Sequence, residues 1–204
     1  MRTLILLIMV LFTPLAIGAS AGARFTSFGG FRLGIGTLAD VRAVLGPAKM
    51  IESGEAGEYE VRLCYRTKQA TVTYLSGEMG GPNHDLLGVS VGATSGPDMI
   101  DCPQWPAARR EPLPYLAGLT LGMSKNAFKR VVGVDVKQDG DVSRAFFLSR
   151  RDFTHTDLTA MPQDVRNLVA GGGSQNCLDV QISVEAYFAD DRLTLFKVWK
   201  VETR

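Results

Sequence analysis

Histidine is nearly missing from this chain. Of 204 residues two are histidine, His84 and His155, each in a polar loop. His84 has Asp85 beside it and His155 has Asp157 two residues on, but no third ligand lies in sequence reach of either and zinc asks for four, so both read as solvated loop residues. Charge of one sign is missing as well: 22 basic against 21 acidic residues leave nothing to attract nucleic acid or an anionic membrane. Beyond residue 23 no stretch approaches the roughly 20 apolar residues that span a bilayer. Cysteine is sparse, at three. None stands at the end of the N-terminal apolar run, where a lipid anchor needs one, and none has a histidine nearby to make it a nucleophile. Ser124, in Gly-Met-Ser, lacks the second glycine of a nucleophile elbow. Gly171 to Gly173 lack the Lys-Ser/Thr of a phosphate loop and read as a flexible hinge. Glu52, Glu55, Glu58 and Glu60 crowd one predicted hairpin as solvated charges. No enzyme, cofactor or metal is expected.

What is present begins with an export signal. Arg2, the apolar run Leu4 to Phe12, Pro14 and the small residues Ala19 to Ala23 form a cleavable signal peptide, residues 1–23. The mature chain is therefore expected in the periplasm, with no stable membrane insertion. In that oxidising compartment three cysteines favour one disulfide and one free thiol. Cys102 lies in a proline-rich stretch and Cys177 in a glycine-rich loop, so a Cys102–Cys177 bridge is expected, with Cys64 a half-buried thiol.

The mature chain writes one sentence twice. Thr37 caps a predicted helix with Asp40 as its capping-box partner. Leu38, Val41, Val44 and Leu45 make its apolar stripe, and Gly46-Pro47 stop it. Ser124 opens the second copy, with Phe128, Val131 and Val132 as the stripe and Gly133 as the stop. Helices this short are marginal alone and must lie on something. Alternating segments follow each: Lys49 to Glu52, Tyr59 to Arg66, Gln69 to Ser76 and Leu86 to Ala93, then Val134 to Gln138, Val142 to Arg150, Val180 to Phe188 and Arg192 to Val201. Turns at Asp139-Gly140-Asp141 and Ala189-Asp190-Asp191 read as hairpin connections. The expected fold is α+β: two tandem units, each a short helix on an antiparallel sheet. They occupy residues 24–94 and 117–204, joined by a proline-rich connector at 95–116. An insertion at 152–179 holds a predicted helix, Gln163 to Ala170.

Gly36-Thr37, Val41, Leu45 and Gly46-Pro47, with Gly122-Met123-Ser124, Phe128, Val132 and Gly133, resemble the SmpA/OmlA (BamE-like) and β-lactamase-inhibitor-protein-like domains. The tandem layout is more similar to the inhibitors. The resemblance implies a helix or helical hairpin on one face of an antiparallel sheet, and a protein that works by docking.

The expected function is non-enzymatic binding of another cell-envelope protein, with inhibition of a hydrolase as the sharper version. The alternatives are an envelope-assembly accessory role, or binding of a small molecule or lipid in a cavity between sheet and helix. The hairpin tip Ser53 to Glu58 and the loop Gly77 to Asp85 are placed to reach a target. The candidate partner-binding residues are Glu55, Glu58, Tyr59, His84, Trp105, Lys197 and Trp199. Aromatics beside cations are the composition of binding hot spots.

Overall fold

The structure is a computed structural model that describes residues 21–93, 101–110, 112, 115–170 and 177–203. Most of the expected signal peptide and the Gly171 to Gly173 hinge lie outside the described residues. The first half opens with a two-strand hairpin, β1 (Ser27–Phe28) and β2 (Phe31–Arg32), followed by helix α1 (Leu38–Leu45). Four strands come next: β3 (Met50–Ser53), β4 (Glu60–Arg66), β5 (Thr71–Gly77) and β6 (Gly88–Gly92). The second half repeats that order. The hairpin β7 (Tyr115–Leu116) and β8 (Leu119–Thr120) precedes helix α2 (Lys125–Val132), then β9 (Val136–Asp139) and β10 (Val142–Asp152). Two short helices, α3 (His155–Ala160) and α4 (Gln163–Ala170), interrupt before the long final strands β11 (Cys177–Ala189) and β12 (Arg192–Thr203).

Both helices start and stop by side-chain chemistry. The Asp40 amide donates to Thr37 Oγ1 at 3.2 Å, and the Thr37 amide donates back to Asp40 Oδ2 at 2.8 Å, completing the capping box. Ser124 Oγ accepts from the Ala127 amide at 3.3 Å. Gly133 closes α2 in the left-handed conformation, φ 68°, where a side chain would be strained. Asp190 and Asp191 both take positive φ, 48° and 61°, so β11 and β12 join through the type of tight turn that matches strand twist.

Eight strands form one antiparallel sheet in the order β3-β4-β5-β6-β12-β11-β10-β9. The two halves meet edge to edge at β6 and β12, where Val198 stands opposite Val89 and Phe196 opposite Val91. Period-two alternation sends one set of side chains to the helices: Val61, Leu63 and Tyr65 from β4, Val72 and Tyr74 from β5, Val184 and Ala186 from β11. Leu38, Val41 and Leu45 of α1 and Phe128 and Val132 of α2 are buried in that same layer. Fully burying a side chain the size of Phe128 is worth about 1.5–3 kcal/mol, which an eight-residue helix needs. The core is a single cluster running through both halves. Phe25, just before β1, stacks 5.4 Å from Phe147 of β10, and the Arg24 guanidinium donates to the last-turn carbonyls of Val131 and Val132.

Four expectations need correction. Val44 is exposed, because the α1 stripe narrows to one residue per turn at its end. Simple alternation along 193–201 puts Leu193 and Leu195 on one face with Trp199 and Val201, but the register slips between Tyr187 and Phe188, so Leu193 enters the core and Leu195 faces away from it. The disulfide joins Cys64 to Cys102, leaving Cys177 free and half-buried. The connector also does more than link. Strand β3 pairs with β4 from Glu60 to Leu63, which leaves the β4 edge bare beyond Leu63. Connector residues fill that edge: the Arg66 amide donates to the Pro103 carbonyl at 2.8 Å, and the Trp105 amide to the Arg66 carbonyl at 2.6 Å. This pairing carries Cys102 to Cys64. Cys177 opens β11, four strands from β4 in the sheet order, or about 19 Å at ordinary strand spacing.

Candidate functional site: the open face of the sheet

The residues that alternate with the core set form the opposite face of the sheet, and among the described residues no helix packs on it. Three rows cross this face in register. The first runs Cys64, Thr73, Ser90, Lys197, Glu185, Arg144. A second runs Arg62, Leu75, Gly88, Trp199, Ser183, Phe146, and a third ends in Leu195, Tyr187 and Val142. Small residues on β5 and β6 form a floor, and long side chains on β4 and β12 form walls. The groove between them has a volume of about 440 Å³ and is lined by Glu60, Arg62, Leu75, Ser90, Leu195 and Lys197 among others.

Charge on this face is arranged in alternating pairs. Arg144 Nε donates to Glu185 Oε1 at 3.0 Å, and its other arm meets Asp139. Tyr187 donates its hydroxyl to Glu185 at 3.1 Å, and burial together with that carboxylate raises the phenol above its ordinary value. Glu60 is shared by two cations, Lys197 Nζ at 3.6 Å and Arg62 Nε at 3.7 Å. Both contacts are longer than a hydrogen bond, and Arg62 Nε is buried without a hydrogen-bond partner among the described residues. The groove thus holds cations attracted to Glu60 but not saturated by it.

Trp199 owes its position to two glycines. Its ring lies across Gly88, where an added Cβ would come within 2.9 Å of Cδ2 and Cε3, and its far edge is 3.9 Å from the same construction at Gly77. Gly88 has no unusual φ, so its lack of a side chain serves space rather than conformation. The half-buried indole forms one wall of a recess of about 310 Å³ that also takes in Glu58, Tyr59, Glu78 and Met79.

The expected partner residues fall into three groups. Glu58, Tyr59 and Trp199 share that recess, and Lys197 lies one residue pair along β12, on the same face. Tyr59 donates its hydroxyl to Glu52 Oε2 at 3.0 Å, and the Gly57 amide donates to the Glu78 carboxylate, which ties the β3–β4 tip to the β5–β6 loop. Glu55 is exposed on the same tip. His84 belongs elsewhere: its carbonyl accepts from the first amide of α1, Leu38, at 2.9 Å, so it holds the helix entry. Trp105 is 5% exposed and packs edge-on against Tyr65 at 6.1 Å. It is a core residue, because the connector lays it against the helix-side layer. Tyr65 in turn donates to the Gly46 carbonyl at 2.8 Å, and burial pushes its phenol up to about 12.

Sequence reasoning missed Phe146 and Leu148, which are 38% and 77% exposed on the open face of β10. The signal was present in Ala-Phe-Phe-Leu: Ala145 and Phe147 are buried, so their neighbours must face the other way. His155 lies in α3, far in sequence from His84, and among the described residues no group of three His, Cys, Asp or Glu is placed to hold a metal ion. No helix among the described residues is long and apolar enough to cross a membrane.

No family model and no curated protein matches the chain. Among solved structures it is similar to the crystal structure of a "putative beta-lactamase inhibitor protein" from Streptococcus mutans. The identity is 10%, the match covers 88% of this chain and 90% of that one, and the TM-score is 0.25. A likeness this loose carries no argument about partner or mechanism.

Proposed function

We propose that the protein is a non-enzymatic binding module of the cell envelope whose open sheet face docks on another protein. The observation that carries this reading is the eight-stranded face itself. It presents Trp199, Tyr187, Phe146 and Leu148 among Arg62, Lys197 and Arg144. Aromatics and arginines beside apolar anchors are what protein interfaces concentrate. The repeated order of hairpin, helix and four strands supports a tandem origin, in which two related units joined at β6 and β12 to make one broad surface. Inhibition of a hydrolase is the sharper form of the reading. In it the β3–β4 tip and the β5–β6 loop, tied through Gly57 and Glu78, project at one end of the face as a paired finger.

The test is capture from a periplasmic extract by the immobilised protein, beside a Trp199→Ala/Phe146→Ser variant whose thermal melt matches the parent. One stoichiometric hydrolase held by the parent and released by the variant supports docking and the inhibitor form. Outer-membrane assembly components released by the same variant support docking in the accessory role. A partner held equally by both proteins overturns the assignment of the open face.

A further inference from the structure

The insertion between β10 and β11 raises a question that the sheet does not answer. Helix α3 has six residues and none is buried. A helix that short has no stability of its own, so something else must hold it. Its foot is anchored by charge. Thr154 and Asp157 form a capping box, and Arg151 donates to both Asp157 oxygens, at 2.6 and 3.1 Å. Arg151 also pairs with Glu202 of β12, which Lys200 Nζ meets at 2.7 Å. Among the described residues, Phe153, Leu158 and Val169 line a cleft of about 540 Å³ between α3 and α4, with Asp152 and His155 completing its wall. That volume lies in the range of small-molecule sites.

One cation also lines the cleft. Arg166 of α4 donates one terminal nitrogen to the Met161 carbonyl at 3.0 Å, while its Nε is buried with no hydrogen-bond partner among the described residues. No ion pair among the described residues includes it. Asp157 and Glu202 are engaged by Arg151, and Asp179 by Arg150 at 2.8 Å, while Asp152 shares the cleft wall with Arg166 and forms no ion pair with it among the described residues. A buried guanidinium nitrogen without a partner is costly, and its planar fork suits a carboxylate or phosphate oxygen pair.

We propose that the cleft between α3 and α4 binds an anionic amphiphile, its head group on Arg166 and its hydrocarbon chain among Phe153, Leu158 and Val169. The site stands apart from the open sheet face and does not depend on that face docking a partner. A head group of single charge matches the single guanidinium, and Asp152 at the wall disfavours more. The head is a fatty carboxylate or the phosphate of an anionic lipid, which share this recognition chemistry.

The test titrates the full chain with sodium dodecanoate below its micelle concentration, by calorimetry and by amide shift mapping, with dodecylamine as the cationic match. Dodecanoate is expected to saturate at one per chain and to shift amides of residues 153–169, while dodecylamine gives no saturable signal. Arg166→Gln weakens binding about tenfold or more, Arg166→Lys restores part of it, and Leu158→Trp fills the cleft and removes it, with all three melting as the parent does. Vesicles of phosphatidylglycerol form the second arm. Arg166-dependent sedimentation with the vesicles, stronger than dodecanoate binding, assigns the head group to a lipid. The proposal is overturned if neither dodecanoate nor the vesicles bind, if dodecylamine binds as well as dodecanoate, or if Arg166→Gln leaves binding unchanged.

Discussion

Breaking the Cys64–Cys102 bond separates the structure from every alternative pairing of its cysteines. The bond spans 38 residues of sequence. In the chain-entropy treatment a loop of that size constrains the unfolded chain by about 3.9 kcal/mol at 25 °C. The folded state does not depend on the bond alone, because Trp105 is buried and the connector holds the β4 edge through two backbone hydrogen bonds. A Cys64→Ala/Cys102→Ala chain is therefore expected to fold and to lose about 3–4 kcal/mol, or about 6–16 °C of Tm for a domain of this size. Urea unfolding followed by far-ultraviolet circular dichroism gives the value, with the parent measured with and without reductant. Reduction should lower the parent midpoint to that of the double variant and leave the variant's own midpoint unmoved. Cys177→Ala, at a half-buried free thiol, should stay within about 0.5–1 kcal/mol of the parent. The reasoning is refuted if Cys177→Ala costs as much as Cys102→Ala while Cys64→Ala costs little, or if reductant leaves the parent unchanged.

Two further outcomes follow from named contacts. Gly88→Ala puts a methyl group 2.9 Å from the Trp199 ring and 3.1 Å from the Val198 carbonyl. Overpacking of this kind costs about 1–3 kcal/mol, and displacing the indole should red-shift Trp199 emission in a Trp105→Phe background; an unshifted spectrum would show that the ring does not lie on Gly88. Acid should loosen the α3 anchor. Arg151 holds the Asp157 carboxyl well below its usual range, and at Glu202 the bonds from Arg151 and Lys200 outweigh burial and lower it too. Because both folded values are depressed, their stabilisation is complete above the unfolded carboxylate range near pH 4 and is lost as pH falls through it toward the folded values. Unfolding midpoints at pH 6 and pH 3 should therefore differ more in the parent than in Arg151→Met, and equal differences would remove the anchor from the account.

Local chemistry made most elements readable. Thr37 with Asp40, Ser124, Gly133 and the Asp190-Asp191 turn each act within a few residues, and each sits where the sequence placed it. Strand segments were legible through alternation: the end at Arg66 and the starts at Val142 and Arg192 were placed correctly, and the other ends differ by one to three residues because pairing partners, not propensity, decide where a strand frays. Long-range pairing was not legible. Nothing near Cys64 announces that β3 begins only at Leu63's partner, Met50, and leaves an edge for the connector, so the disulfide and the burial of Trp105 were both misread. The α3 helix went unseen because a six-residue element carries no period to detect. At the candidate site, Lys197 and Trp199 were readable from the composition of β12. They alternate with the buried Phe196 and Val198 in unbroken register with β11, and only Leu193, beyond the slip at Tyr187, could not be placed by alternation.

Strand β12 follows every other strand in the sequence yet stands in the middle of the sheet, between β6 and β11. A chain emerging in order must complete the other seven strands of this sheet before the one that joins them. Until then β6 waits with Val89 and Val91 uncovered and its backbone ready to accept any extended neighbour. The hazard for this molecule is concentrated in that interval of synthesis, and a holdase that shields Gly88 to Gly92 would serve it better than any gain in the stability of the finished fold.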